Sequence, residues 1–236
     1  MRIQDTLPIL VVLAATLLLV SQTHAQDGKA TSPQVRPRLS AEAIATSHPV
    51  ARDALTQLPP LVNEETYRQL GFDSPDEVKQ AQLGAPIHVF MVRLDQLKAY
   101  GSRDKPDALL SETNEVLYPV EVSGRIRTGL RMRMVDGAWR LSSFGASAKT
   151  QALGAASKRA FALSKVTAGD QVAVDIPALQ LHFMGYHDAR GNLMLLPAAD
   201  DTRFKLKAGT AEPAQRVFAR LAPFAKRYPE GQRIVD

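Results

Sequence analysis

The sequence predicts an α+β fold: a mainly antiparallel sheet built on a three-stranded meander over about residues 115–144, packed with helices from both halves of the chain. Three observations predict it. Glu115 to Phe144 alternates apolar and polar side chains in three runs, separated by Ser123-Gly124 and Asp136-Gly137, as consecutive hairpins do. Pro86 to Arg93 is apolar on both alternating sets, which suits an interior strand covered on both faces. Helical patterns with capping residues lie both before and after these strands.

A chain of 236 residues that is 45% hydrophobic and 22% charged can bury a core without metal or disulfide staples. It has no cysteine, which removes disulfides, thiolate metal sites, cysteine nucleophiles and a lipidated N-terminal Cys. Near the start, Arg2 precedes the apolar run Ile9–Val20, and Thr23-His24-Ala25 places small residues where a signal peptidase reads them. The run is about twelve residues, short of the ~20 a spanning helix needs. These features predict a signal peptide over 1–25, cleaved after Ala25, and an exported protein, periplasmic or secreted, with no transmembrane span after cleavage. Residues 26–39 are polar, with Pro33 and Pro37, and read as a disordered leader. Residues 40–236 then form a single α+β domain. The formal charge of +5 and pI near 9.6 favour contact with anionic surfaces, although such an excess also serves solubility alone.

Ser40 caps a helix from Ala41 to about Ser47, and Pro49 breaks it or opens a second helix over Val50–Leu58. Asn63 caps a short helix through Tyr67 and Leu70, closed by Gly71. Ser74-Pro75-Asp76-Glu77 combines an N-cap serine, an N1 proline and a capping-box glutamate, and starts a helix to about Leu83. After the interior strand, Leu94–Tyr100 suits a short helix and Gly101–Asn114 a polar loop.

The meander sets its own register. Ile126, Thr128, Leu130, Met132 and Met134 take one face, and Arg125, Arg127, Arg131 and Arg133 the other. A strict two-residue Ser123-Gly124 loop would pair Val120 with Arg127 and mix apolar with charged side chains. A three-residue loop, Val122-Ser123-Gly124, instead pairs Val120 with Ile126, Tyr118 with Thr128 and Val116 with Leu130. It sets Glu121 against Arg125 and Glu115 against Arg131, favourable by roughly 0.2–1 kcal/mol each. Asp136-Gly137 pairs Met134 with Trp139 and Met132 with Leu141, and places Arg133 opposite Arg140.

Beyond the meander, Ala146–Leu163 is helical, with Leu153, Ala156, Ala160 and Leu163 on one face. Asp170–Ile176 and Leu179–Tyr186 are strands interrupted by Pro177, and Asn192–Leu196 returns after a His187–Gly191 turn. Arg203–Leu206 is a short strand. Pro213 opens the last helix, and Pro223 within it predicts a kink or break.

Few catalytic signatures are present. His48, His88, His182 and His187 show no metal-ligand spacing, and His88 in its apolar strand suits a hydrogen-bonded core histidine. Ser102-Arg103-Asp104-Lys105 spells S-x-x-K in a polar loop, without the companion triplets of penicillin-recognising enzymes. Asp200-Asp201 are adjacent and diverge. The run YPVEVSGRIRTGLRMRMVDGAWRLSSFG, after Leu83-Gly84-Ala85-Pro86, resembles a pattern in uncharacterised exported bacterial proteins over about Leu70–Phe144. Its matched residues are turn glycines, strand apolars and Trp139, so the resemblance implies no activity.

The feature above background is the arginine face. Arg125, Arg127, Arg131, Arg133 and Arg140 are expected to point one way, as a solvated sheet face or as ligand-binding residues for an anion or a partner. The sequence thus predicts a non-enzymatic exported binding domain for an anionic envelope component or an acidic protein. Nucleic acid is disfavoured because Trp139, the aromatic that could stack, is on the other face. No catalytic residue, cofactor or metal is assigned. On this view, replacing Arg131 and Arg133 by serine abolishes binding without lowering the melting temperature. The alternatives are an envelope hydrolase, in which His182 or His187 meets a carboxylate or serine, and a purely structural envelope protein.

Overall fold

The structure, a computed structural model, describes Ser40 to Tyr228. The expected signal peptide, the leader and residues 229–236 lie outside the described residues. The strands are β1 (Gln82–Leu83), β2 (Ile87–Val92), β3 (Leu110–Val122), β4 (Arg125–Val135), β5 (Ala138–Gly145), β6 (Val172–Ile176), β7 (Leu181–His187), β8 (Leu193–Pro197) and β9 (Glu212–Pro213). They form one sheet in the order β5-β4-β3-β2-β6-β7-β8-β9, with β1 added beside β3. The sheet is mixed: β2 and β6 run parallel, and every other pairing is antiparallel. The expected meander β3-β4-β5 is therefore one half of a larger sheet. A parallel pair needs a long crossover, and here it contains the meander itself.

Among the described residues, four α-helices cover this sheet: α1 (Ala41–Leu55), α2 (Leu94–Ala99), α3 (Ser147–Ser164) and α4 (Ala214–Arg227). On one face, α1 and the segment that follows it cover the meander, packing Ala51, Ala54, Leu58, Phe72 and Val78 on Val116, Tyr118, Leu130 and Met132. On the same face, α2 and α4 cover the other half, with Leu97, Val217, Phe218 and Leu221 on Val174, Ile176, Phe183 and Leu195. The opposite face carries α3, whose Leu153, Ala156 and Ala160 meet Val89, Leu117, Ala173 and Met184. Burial on both faces explains why β2 is apolar on both alternating sets. His88 is the buried hydrogen-bonded histidine expected there, with Nε2 3.1 Å from Glu112 Oε1.

Several expected elements take another form. Pro49 lies inside one continuous helix, α1, rather than at a break. Ala51 and Ala54 bury against the sheet beyond the proline, and Ser47 before it shares a 2.7 Å hydrogen bond with buried Tyr118. Packing thus fixes both halves of α1 on one axis, outweighing the local loss of a backbone donor. Burial pushes the Tyr118 hydroxyl's pKa up, partly offset by Ser47. Asn63 caps as expected, accepting from Glu65 and Thr66, but the residues after it form hydrogen-bonded turns rather than a helix. Pro75–Gln80 is a 3-10 helix, and Ser74 makes no cap bond. Its glutamate serves elsewhere: Glu77 Oε2 accepts the Asp73 N–H at 2.7 Å, and Oε1 binds Arg127. The region expected as a loop to Asn114 gives its last residues to the 13-residue strand β3. Arg203–Leu206 yields only an isolated bridge, Asp201 to Leu206, and β9 has no counterpart in the sequence reading. Pro223 sits within an uninterrupted α4.

Candidate functional site

The arginines are placed by the turns and bulges of the meander. Ser123 (φ 48°) and Gly124 (φ 73°) form a two-residue turn, with Val122 directly opposite Arg125. The expected three-residue loop is not formed. The extra residue needed to keep apolar side chains together sits instead in the strand: the register shifts between Val120 and Glu121, leaving Arg127 as a bulge. Beyond it Val120 faces Thr128, Tyr118 faces Leu130 and Val116 faces Met132, so the apolar match is restored two residues from the expected pairing. Glu115 accordingly faces Arg133, not Arg131, and Glu121 faces Ile126, not Arg125. The Asp136-Gly137 hairpin is as expected, with Arg133 opposite Arg140 and Met134 opposite Trp139.

This register divides the five arginines. Arg127 is buried, and its Nη2 donates to Asp73 Oδ2 at 2.5 Å and to Glu77 Oε1. Burial disfavours its charge, but the two carboxylates outweigh this and hold its pKa above the ordinary value. Arg125 lies 3.8 Å from the same Asp73. These two arginines belong to a structural network that ties the segment before β1 to the meander, so the expectation of a single five-arginine face is corrected.

Arg131, Arg133 and Arg140 remain together on the face that carries α3. Arg131 Nη1 donates to Glu115 Oε2 at 2.8 Å, and Arg133 donates through Nε at 2.8 Å and through Nη2 to Glu115 Oε1. The Glu115 side chain is only 6% exposed, whereas that of Arg133 is 55% exposed. One buried carboxylate therefore holds two guanidinium groups in place. Arg140 is exposed and has no ion-pair partner among the described residues. Trp139 packs on the other face, where Nε1 donates to Thr46 Oγ1 at 3.1 Å.

A second charged cluster lies on the α3 face; the sequence offers His182 as a partner for a carboxylate but singles out neither Asp175 nor Lys149. Asp175 Oδ2 is 2.6 Å from Lys149 Nζ, and Oδ1 is 2.8 Å from His182 Nδ1. Burial raises the Asp175 pKa, but the His182 hydrogen bond and the Lys149 charge prevail and keep it below the ordinary carboxylate value. Asp175 is the one charge in the otherwise apolar β6, and that is the signal that could have found it. Lys149 on a helix gives no such signal. His187 is on the opposite face, with Nε2 2.6 Å from Asp107 Oδ1. The two histidines thus each meet a carboxylate but not each other. Among the described residues, no three acidic, histidine or cysteine side chains converge as metal ligands. No family model, curated protein or solved structure matches the chain.

Proposed function

We propose that the chain is an exported, non-enzymatic binding domain that engages an anionic envelope component through Arg131, Arg133 and Arg140. One observation carries this reading: among the described residues, three guanidinium groups on a single patch have one ion-paired carboxylate, Glu115, and that carboxylate is buried beneath them. Buried Glu115 orients Arg131 and Arg133 while leaving donors on their outer edges for a ligand, and an anion between Arg133 and Arg140 relieves the like-charge pair. The export signal read at 1–25 supplies the compartment, and Arg125 and Arg127 have no part in the binding.

The test is co-sedimentation of the protein with phosphatidylglycerol-containing vesicles at low ionic strength. Arg140→Ser is expected to weaken binding about fivefold, from roughly 1 kcal/mol per cation near an anionic surface. Binding to purely zwitterionic vesicles at the same level sinks the reading. An acidic protein is the partner instead if vesicles are ignored while a polyglutamate column retains the wild type and not Arg140→Ser.

The Asp175–His182 pair favours a second reading, an envelope hydrolase. Asp175 holds Nδ1 of a half-buried imidazole and leaves Nε2 to act as a general base. Hydrolysis of an ester, peptide or phosphodiester probe that survives Arg140→Ser and disappears in His182→Asn supports it. Absence of turnover across that panel removes it.

A further inference from the structure

A groove of about 520 Å³ runs along one flank of α3, away from Arg131, Arg133 and Arg140. Its floor is small and apolar: Ala152 and Ala156, four apart on the helix, face Ala198 just beyond β8. At one end stand Arg159, one helical turn on from Ala156, and Lys207 and Thr210 of the loop before β9. The loop is rigidly tied: the Gly209 N–H donates to Pro197 O at 3.2 Å, and Gly209 adopts φ +68°. The positive φ favours glycine there, and the aliphatic stem of Arg159 passes beside the turn at ordinary contact distance.

Among the described residues, neither Arg159 nor Lys207 makes a side-chain hydrogen bond or ion pair, and the Thr210 hydroxyl is likewise unengaged. In the same loop, Asp200 Oδ1 accepts the Ala208 N–H at 2.7 Å, and Asp201 binds Arg203.

We infer that this groove binds a small amphipathic carboxylate, with its acid group between Arg159 and Lys207 and an unbranched acyl body along the alanine floor. A guanidinium and an ammonium flanking a carboxylate match its charge, and burying methylenes on methyl groups supplies the apolar part of the affinity. The volume falls within the range of small-molecule sites.

Isothermal titration of the full chain with sodium decanoate tests this. Saturable one-to-one binding is expected. The Arg159→Gln/Lys207→Gln double variant, changed only at exposed side chains, weakens it about tenfold or more. Ala152→Phe, which fills the floor, abolishes it, and decanol binds at least about tenfold more weakly than decanoate. Arg140→Ser leaves decanoate binding unchanged, which separates this site from the sheet-face site. No saturable binding, equal affinity for decanol, or an unaltered double variant overturns the inference.

Discussion

At the scale of the residue, the arginines differ in what their removal exposes. Arg127 is buried against Glu77, whose side chain is 13% exposed, so Arg127→Met leaves an unpaired carboxylate near the core. Urea unfolding is expected to show a loss of about 2–4 kcal/mol, with vesicle binding unchanged. Arg140→Ser should leave the urea midpoint unmoved, because Arg140 is exposed and has no ion-pair partner among the described residues. Arg131→Ser/Arg133→Ser, expected from sequence to spare stability, should instead strand buried Glu115 and lower the melting temperature, as a thermal melt will check. Asp175 gives the pH dependence. Its folded pKa is below the unfolded carboxylate value of about 3.9, so its contribution is present above that value and lost as pH falls through the lower folded one. Asp175→Asn should therefore cost about 1–3 kcal/mol near neutral pH, and wild type and variant should converge as pH falls through the lowered folded value, as urea titrations at neutral and acid pH will check.

At the scale of the element, the docking of α3 depends on a close approach to β4. A Cβ built at Gly129 would lie 2.5 Å from Thr150 Oγ1 and 2.9 Å from Leu117 Cδ1. Gly129→Val should push α3 away and cost about 1–3 kcal/mol in the same unfolding assay. Elements with strong period-two patterns were legible in the sequence: β2, the three meander strands and the β7–β8 hairpin all stand where alternation and turn residues put them. The need for one extra residue between β3 and β4 was legible too, since the apolar match demands it. Its location was not, because a bulge at Arg127 and a longer turn satisfy the same pattern, and the choice rests on Asp73 and Glu77 reaching Arg127 from outside the meander. Local capping signals were weaker guides. Ser74-Pro75-Asp76-Glu77 spells a helix start, yet Glu77 is drawn into the Arg127 network and only a 3-10 helix forms. The α1 proline shows the same override in reverse, with burial of Ala51 and Ala54 carrying the helix through Pro49. The Lys149–Asp175–His182 cluster joins a helix to two strands and left one trace in the sequence, the acid in β6.

At the scale of the whole molecule, two antiparallel halves meet at the β3-β2-β6 centre, with helices on both faces. Hydrogen exchange should find its slowest amides in β2, β3, β6 and β7, and its fastest in the turn-rich residues 62–80, whose backbone bonds are local and largely exposed. Vesicle co-sedimentation of Arg127→Met beside Arg140→Ser distinguishes a structural arginine from a proposed binding one. The account predicts that Arg127→Met, although destabilised, binds phosphatidylglycerol vesicles like the wild type at a temperature where both are folded, while fully stable Arg140→Ser binds about fivefold more weakly. Equal binding by Arg140→Ser and the wild type would contradict it.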